Sequence, residues 1–368
     1  MNSNATNGSI SEWYMEPFGA RVFRFFLVAL VLSASLVGNA VVVHTAITAR
    51  QQTKVFLYFL VANLSIAELI NTCTIPFLVV YDELGTWYFG EFLCHIVSPL
   101  QVTALLVTTS TIAAIAMYRC WFLAFPMIAQ RLPSSRRLAL LVITFIWFAS
   151  IVLVLPNFIY NTEVQGPHGH VWCLTLFTGD TIDTFPSTGL QVLSFLRIAI
   201  NFVVAVVLVT ASYLIVLYKV RALGKRSRVY EHNSKGASQT ERNVEGFELG
   251  NMCHVNPAFC ADHDEQRSYE NTQSSEQQTI LNVTTFEADI FNLFYAIVLI
   301  FIIGYYPYQI FYILEYTGKI SIHWRYLKIT RKYLLLLAFF PSALHPICYG
   351  TMSNFYYKAF TKFILCRN

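Results

Sequence analysis

A single acid, Glu68, interrupts the otherwise uncharged stretch from Val55 to Tyr81, and a single arginine, Arg119, closes another that begins at Phe92. No HExxH pair and no nucleophile with an attendant base accompanies them, so a hydrolytic or metal-assisted reaction has no residues to run on. Cys253, His254, Cys260 and His263 in "CHVNPAFCADH" stand close together but match no common zinc spacing, and neither a metal nor a cofactor is expected. The chemistry open to the two charges follows from their surroundings. An acid inside an apolar layer is expensive, so it pairs inward with a polar neighbour and marks a working position. An arginine at the edge of such a layer lays its stem along hydrocarbon and keeps its head in the polar zone, below the roughly 2.5–3.5 kcal/mol assigned to a mid-bilayer arginine. On these grounds Arg119 is either a topology anchor or a switchable charge.

Both residues need a membrane around them, and the composition supplies one. Of 368 residues 55% are hydrophobic and 12% charged, and the mean hydropathy is +0.51, too apolar for a soluble chain of this length. The apolar residues gather into blocks long enough for a hydrocarbon layer of roughly 30 Å, which takes about 20 helical residues. These run from Phe25 to Thr48, Val55 to Tyr81, Phe92 to Tyr118, Leu138 to Tyr160, Ile198 to Tyr218, Ile290 to Leu314 and Tyr333 to Tyr357. None alternates as a barrel strand must. The expected fold is all-α, a seven-helix transmembrane bundle in which Glu68 is the only formal charge deep inside a span.

Basic residues orient the bundle. Arg50 and Lys54, then Arg131, Arg136 and Arg137, then Lys219, Arg221, Lys225, Arg226 and Arg228 mark the cytoplasmic connections, whereas Asp82, Glu83, Glu91, Glu163, Asp180 and Asp183 lie on the other side. Lys319, Arg325, Lys328, Arg331 and Lys332 before the seventh span dissent from the rule. The expected arrangement is an extracellular N-terminus bearing sequons at Asn4 and Asn7, and a cytoplasmic C-terminus. In this topology Cys94 and Cys173 are the two cysteines outside, able to join the third span to the following loop. Cys366, just past the amphipathic "NFYYKAFTKF", is a palmitoylation candidate or an ordinary tail cysteine. The chain divides into a tail (1–20), five spans (21–219), a polar loop without apolar period (220–286), two spans (287–353) and an amphipathic helix with its tail (354–368). A net charge of +4 confined to membrane edges gives no footing for nucleic acid.

Several punctuating residues carry a resemblance. "GNAVV" contains Gly38 and Asn39, "NLSIAE" contains Asn63, Leu64 and Ala67, and "WYFG" precedes Cys94; Arg119, Pro126, Trp147, Tyr213, "FIIGYYP" and "HPICY" follow in order. Together they resemble the rhodopsin-like (class A) G protein-coupled receptors over nearly the whole chain outside the long loop. The resemblance implies that Arg119 is held at rest by an acid and released toward a heterotrimeric G protein when the sixth helix swings out, with arrestin as a further partner. Tyr118 replaces the usual neighbouring acid, which leaves Glu287 as the partner. Tyr213, Phe301, Pro307, His345, Pro346 and Tyr349 occupy the remaining activation positions. Around Glu68 the resemblance places a sodium site with Asn39, Thr108 and Ser342. Here Pro341 and His345 replace two asparagines, and a Glu68–His345 pair in place of sodium is expected.

The ligand class is read by the same likeness. An amine receptor carries an aspartate where this chain has Gln101, and an opsin carries a lysine in the seventh span where "YLLLLAFFPSALHP" has none. Gln101 with "PFLVVYDELGTWYFGEFLCH" is similar to receptors for neuropeptide Y, prolactin-releasing peptide and related amidated peptides. That likeness implies an extracellular peptide ligand touching Gln101, Tyr305, Tyr308, Gln309 and Tyr312, with rim acids Asp82, Glu83, Glu315, Asp180 and Asp183 facing a basic ligand residue. It also implies a plasma-membrane location. Tyr118, Tyr305, His345 and Ala205 depart from the family pattern, and the competing reading is a receptor-shaped decoy, scaffold or transporter that does not signal. A transporter should show repeated halves and several midplane charges, which are not seen.

Overall fold

Backbone groups in hydrocarbon must bond within their own segment, and this chain meets the demand with long helices. The computed structural model describes residues 14–48, 55–124, 136–166, 169–182, 185–204, 206–215, 217–218, 221, 295–315, 317–321, 324–352 and 354–364. Its elements are α1 (Phe18–Thr48), α2 (Val55–Leu84), α3 (Gly90–Ala124), α4 (Arg136–Tyr160), a hairpin of β1 (Asn161–Gln165) and β2 (Val171–Thr175), α5 (Thr188–Ile215), α6 (Tyr295–Glu315), α7 (Leu327–Met352) and α8 (Asn354–Ile364). Seven of these helices, α1 to α7, are long and apolar enough to cross a membrane.

Packing follows side-chain size and polarity. α2 is the hub, lying against α1, α3, α4 and α7, while α1 and α7 close on each other. Leu60, Leu64, Ile115, Ile297 and Tyr349 are fully buried in the largest apolar cluster. Phe26 and Leu30 of α1 and Leu141, Phe145 and Phe148 of α4 face outward and exposed, as suits a hydrocarbon solvent. Close helix approach depends on two glycines. A Cβ at Gly38 would stand 2.6 Å from Pro346, and one at Gly304 would stand 2.6 Å from Pro341. Both glycines bring a helix against α7.

The end of the bundle where α3 begins is capped by the antiparallel hairpin, whose register runs from Asn161 opposite Thr175 to Gln165 opposite Val171. The Cys94–Cys173 disulfide joins β2 to the start of α3, and the Trp87 amide donates to the Val171 carbonyl at 2.7 Å. Asn161 Nδ2 adds a bond to the Cys94 carbonyl at 3.1 Å. This hairpin is therefore held to α3 and to the loop between α2 and α3 by covalent and hydrogen bonds.

Three expectations about the spans need correction. α1 begins at Phe18 rather than Phe25 and so takes in Arg24, and α5 begins at Thr188 rather than Ile198 and takes in Arg197. Glu68 is thus not the only charge inside a span. The apolar block stops at each arginine, whereas the helix continues through because each guanidinium is hydrogen-bonded to its neighbours. α7 ends at Met352, and Tyr356 and Tyr357 belong to α8. Asn4, Asn7, Cys366, Glu287 and nearly all of the polar loop lie outside the described residues.

Candidate functional site

Glu68 projects from α2 into the bundle with 4% of its side chain exposed. The Ser342 hydroxyl donates to one carboxylate oxygen at 2.5 Å, and His345 Nδ1 lies 3.2 Å from the other. Asn71 Nδ2 donates to the same hydroxyl at 3.2 Å, and Asn39 Nδ2 donates to the Ser342 carbonyl at 2.9 Å. The Ser35 and Thr72 hydroxyls share a hydrogen bond at 2.6 Å, and Thr72 in turn donates to the Glu68 carbonyl at 2.7 Å. One polar chain therefore ties α1, α2 and α7 at mid-depth, and Gly38 permits the approach that puts Asn39 in reach. With Glu68 ionised, the His345 Nδ1–H is the donor that faces it. The His345 ring is fully buried, and its Nε2 has no partner among the described residues. Thr108 is buried as well, without a hydrogen bond to Glu68 among the described residues. The arrangement links α2 and α7 through a buried contact between a carboxyl group and an imidazole.

Nearer the hairpin end of the bundle a second polar group gathers. Arg24 Nη2 donates to Glu16 at 2.8 Å and to Glu83 at 2.7 Å, and Lys332 Nζ reaches Glu83 at 2.7 Å. The Tyr333 hydroxyl donates to Glu16 at 3.0 Å, and Arg21 lies 3.4 Å from Glu83. Burial raises the Glu16 pKa, but the bonds from Arg24 and Tyr333 outweigh it and hold the carboxyl below its ordinary range. The segment before α1 is pinned over this group by the Tyr14 amide, which donates to the Arg325 carbonyl at 3.0 Å, and by Tyr14 against Tyr326 at 5.3 Å. Glu315 is paired with Arg331. Asp180 accepts from the Phe177 amide at 3.0 Å. Of the rim acids named from the sequence, Asp82 differs: it makes no hydrogen bond to a described residue, lines a small cavity with Arg24 and Lys332, and sits in the field of Arg331, Lys332 and Arg24.

The aromatic side chains Tyr312, Tyr308 and Tyr305 follow one another at four- and three-residue spacing along α6. Gln309 Nε2 donates to the Tyr305 hydroxyl one turn away. Gln101 is half-buried on α3, with no hydrogen bond to a described residue. Phe301 lies 5.4 Å from Tyr305 and 6.1 Å from Tyr306, below the turn that holds Pro307. Deeper still, Tyr213 of α5 stacks on Tyr295 of α6 at 4.5 Å, and Tyr349 of α7 is fully buried 5.7 Å from Tyr356 of α8. The Arg119 side chain and Glu287 lie outside the described residues.

Comparison with known proteins supplies what geometry alone does not. The family model described as "7 transmembrane receptor (rhodopsin family)" matches residues 38–349. The chain belongs to the rhodopsin family of seven-transmembrane receptors. Among relatives, the neuropeptide Y receptor type 2 of Mus musculus is 24% identical over 345 residues, 91% of this chain and 74% of its own length. The same receptor type from Gallus gallus is 33% identical over 146 residues, 38% of this chain and 36% of its own length. G-protein coupled receptor 54 of Oreochromis niloticus is 30% identical over 139 residues, 38% of this chain and 36% of its own length.

Within this receptor, sequence reading missed Arg24 and Arg197. The Arg197 guanidinium donates through Nη1 to Asn157 Oδ1 at 2.6 Å and through Nη2 to Ser194 Oγ at 3.3 Å. A signal was available, since five of the nine residues of "TGLQVLSFL" before Arg197 are Leu, Val or Phe. It missed Trp147 as a hydrogen-bond donor too: its indole N–H meets Asn63 Oδ1 at 2.8 Å, and Asn63 Nδ2 meets Thr111 Oγ1 at 2.8 Å.

Proposed function

We propose that this rhodopsin-family member is a plasma-membrane receptor for an extracellular peptide, with its N-terminus outside and its signal passed to a heterotrimeric G protein. The observation that carries the reading is the row of aromatic side chains on α6. Tyr312, Tyr308, Tyr305 and Phe301 follow one another at three- and four-residue spacing, with the Tyr305 and Phe301 rings 5.4 Å apart near the Pro307 turn, so a contact made outside can bias the helix that moves inside. The relatives' names, two of them neuropeptide Y receptors, favour a peptide over an amine.

In this reading Gln101, Tyr308, Gln309 and Tyr312 line the ligand cleft, and Asp82 is the acid that faces a basic ligand residue. Glu315 acts there through the Arg331 it holds. The Glu68–His345–Ser342 group takes the place of a bound sodium ion, because an imidazole N–H occupies one carboxylate oxygen and a hydroxyl the other. Arg119 and Glu287 form the cytoplasmic lock, Tyr213 and Tyr349 reorient beside it, arrestin follows the G protein, Asn4 and Asn7 carry glycans, and Cys366 a palmitoyl chain. The test is G protein activation in cells exposed to a panel of amidated peptides, with Arg119→Ala as control. Activation by a peptide that is lost in Arg119→Ala supports the reading; silence across the panel, or signalling unchanged in Arg119→Ala, contradicts it.

A further inference from the structure

The residues that lead into α1 lie on the surface, with one exception. Tyr14, Met15 and Pro17 are exposed, whereas Glu16 is buried, with 4% of its side chain open to solvent. Its carboxylate meets the Arg24 guanidinium side on: Arg24 Nη2 donates to one oxygen at 2.8 Å and Arg24 Nε to the other at 3.1 Å. The Tyr333 hydroxyl donates to the same group at 3.0 Å. Donors from α1 and α7 thus converge on one anion, in the paired N–H geometry that a guanidinium offers a carboxylate and that an amide does not match. Glu16 is a single side chain plugged into the bundle from a segment that otherwise lies outside it.

The charge balance around this socket calls for that anion. Arg21, Arg24 and Lys332 stand against Glu16, Glu83 and Asp82, and Glu83 is already shared by Arg24 at 2.7 Å, Lys332 at 2.7 Å and Arg21 at 3.4 Å. Without Glu16 a positive charge is left in excess, and Arg24, 3% exposed, has no means of shedding its own. Besides Glu16, the segment is held by the bond from the Tyr14 amide to the Arg325 carbonyl and by the Tyr14 ring against Tyr326. A group tethered and oriented in this way competes as though far more concentrated than a free acid. A small carboxylate in solution therefore does not displace it, whereas a ligand that delivers its acid together with further contacts does.

We propose that Arg24 and Tyr333 form a carboxylate seat, filled in the free chain by Glu16 and given over to an acidic side chain of the ligand when the Tyr14–Pro17 segment lifts. The seat itself follows from contacts within the chain; its exchange with a ligand rests on the receptor reading above. The consequence is mechanical. Arg24 belongs to α1 and Tyr333 to α7, so one carboxylate bridges the two helices whichever molecule supplies it.

The experiment follows thermal melting of the purified full chain in lipid nanodiscs. Propionate serves as a free copy of the Glu16 side chain and propionamide as its uncharged match, each at about 100 mM because so small a ligand binds weakly, and at equal ionic strength. Glu16→Ala is expected to melt below wild type, propionate to restore at least about half of the loss, and propionamide to restore none. Wild type, with its seat occupied, and the double variant of Glu16→Ala with Arg24→Met, with its seat removed, show no acid-dependent shift. Where Glu16→Ala folds poorly, it is purified with either probe present throughout; recovery with propionate alone supports the seat, and recovery with both or neither overturns it. Exchange is read by hydrogen–deuterium exchange of residues 14–21 in Tyr14→Ala, whose segment has lost its ring contact. Propionate should speed that exchange at least about twofold and propionamide leave it unchanged. No melting loss in Glu16→Ala, equal rescue by acid and amide, or rescue that persists without Arg24 overturns the seat, and exchange indifferent to the acid overturns the displacement. A peptide panel silent in the G protein assay, with the rescue intact, removes the signalling reading and leaves the seat standing. Peptide signalling without any rescue removes the seat alone.

Discussion

Arg24→Met removes the cation that bridges α1, α2 and the segment before α1. Arg24 is 3% exposed and Glu16 9%, so the Glu16 carboxylate is left buried with the Tyr333 hydroxyl as its hydrogen-bond donor and Arg21 4.0 Å away. Glu83 fares better, because Lys332 stays at 2.7 Å and Arg21 at 3.4 Å. Breaking a buried pair costs about 3–5 kcal/mol when the other charge is stranded. With only Glu16 losing its close cation, and Arg21 still 4.0 Å away, the lower end applies, about 3 kcal/mol, or on the order of 5–10 °C of melting temperature. Adding Glu16→Gln removes the stranded charge and should return about half of that loss. Acidity gives an independent arm. The Glu16 carboxyl is held below its ordinary 4.5 in the folded protein, so its stabilisation is complete above that value and fades as pH falls through the folded one. The gap between wild type and Glu16→Gln should therefore be constant from pH 8 to about 5 and narrow below about 4. The assay is thermal melting in detergent micelles across that pH range. An Arg24→Met protein that melts within a degree of wild type, or a double variant no better than the single, refutes the reasoning.

Other perturbations have equally definite outcomes. Gly304→Ala places a Cβ 2.6 Å from Pro341 and 3.2 Å from the Leu337 carbonyl, so it should lower the melting temperature markedly, whereas Gly19→Ala, with nothing within 4 Å, should be neutral or slightly stabilising. Because His345 and Ser342 occupy Glu68, exchanging sodium for choline should leave wild-type melting unchanged, and His345→Asn should introduce a sodium dependence; a strong sodium effect on wild type contradicts the pairing. Cys94→Ser opens a cross-link spanning 79 residues, for which the chain-entropy model gives about 4–5 kcal/mol, and surface expression should fall steeply against wild type in flow cytometry.

The seven spans were legible because apolar blocks of the right length are a property of composition, visible one residue at a time. Glu68 announced itself by the same contrast, as a charge where none is cheap. Arg24 and Arg197 escaped because a span was ended wherever an arginine appeared, and the partners that make those arginines tolerable are far away in sequence. Glu83 is 59 residues from Arg24, and Asn157 is 40 from Arg197. Lys332, which completes the outer group, is 249 residues from Glu83. Such pairings exist only once helices pack, and no local pattern encodes them. The same holds for the rim acids. Equal in sequence, they are unequal in the fold, where Glu83 and Glu315 are already engaged by basic side chains and Asp82, which lines a cavity with Arg24 and Lys332, makes no hydrogen bond among the described residues.

Everything proposed for the cleft and the cytoplasmic lock requires the two ends of the chain to lie on opposite sides of the membrane. Antibody staining of cells expressing an N-terminal and a C-terminal epitope tag on one full-length chain tests this most directly. The N-terminal tag should stain in intact cells and the C-terminal tag only after permeabilisation. Staining of both tags in intact cells, or of neither until the membrane is opened, contradicts the account.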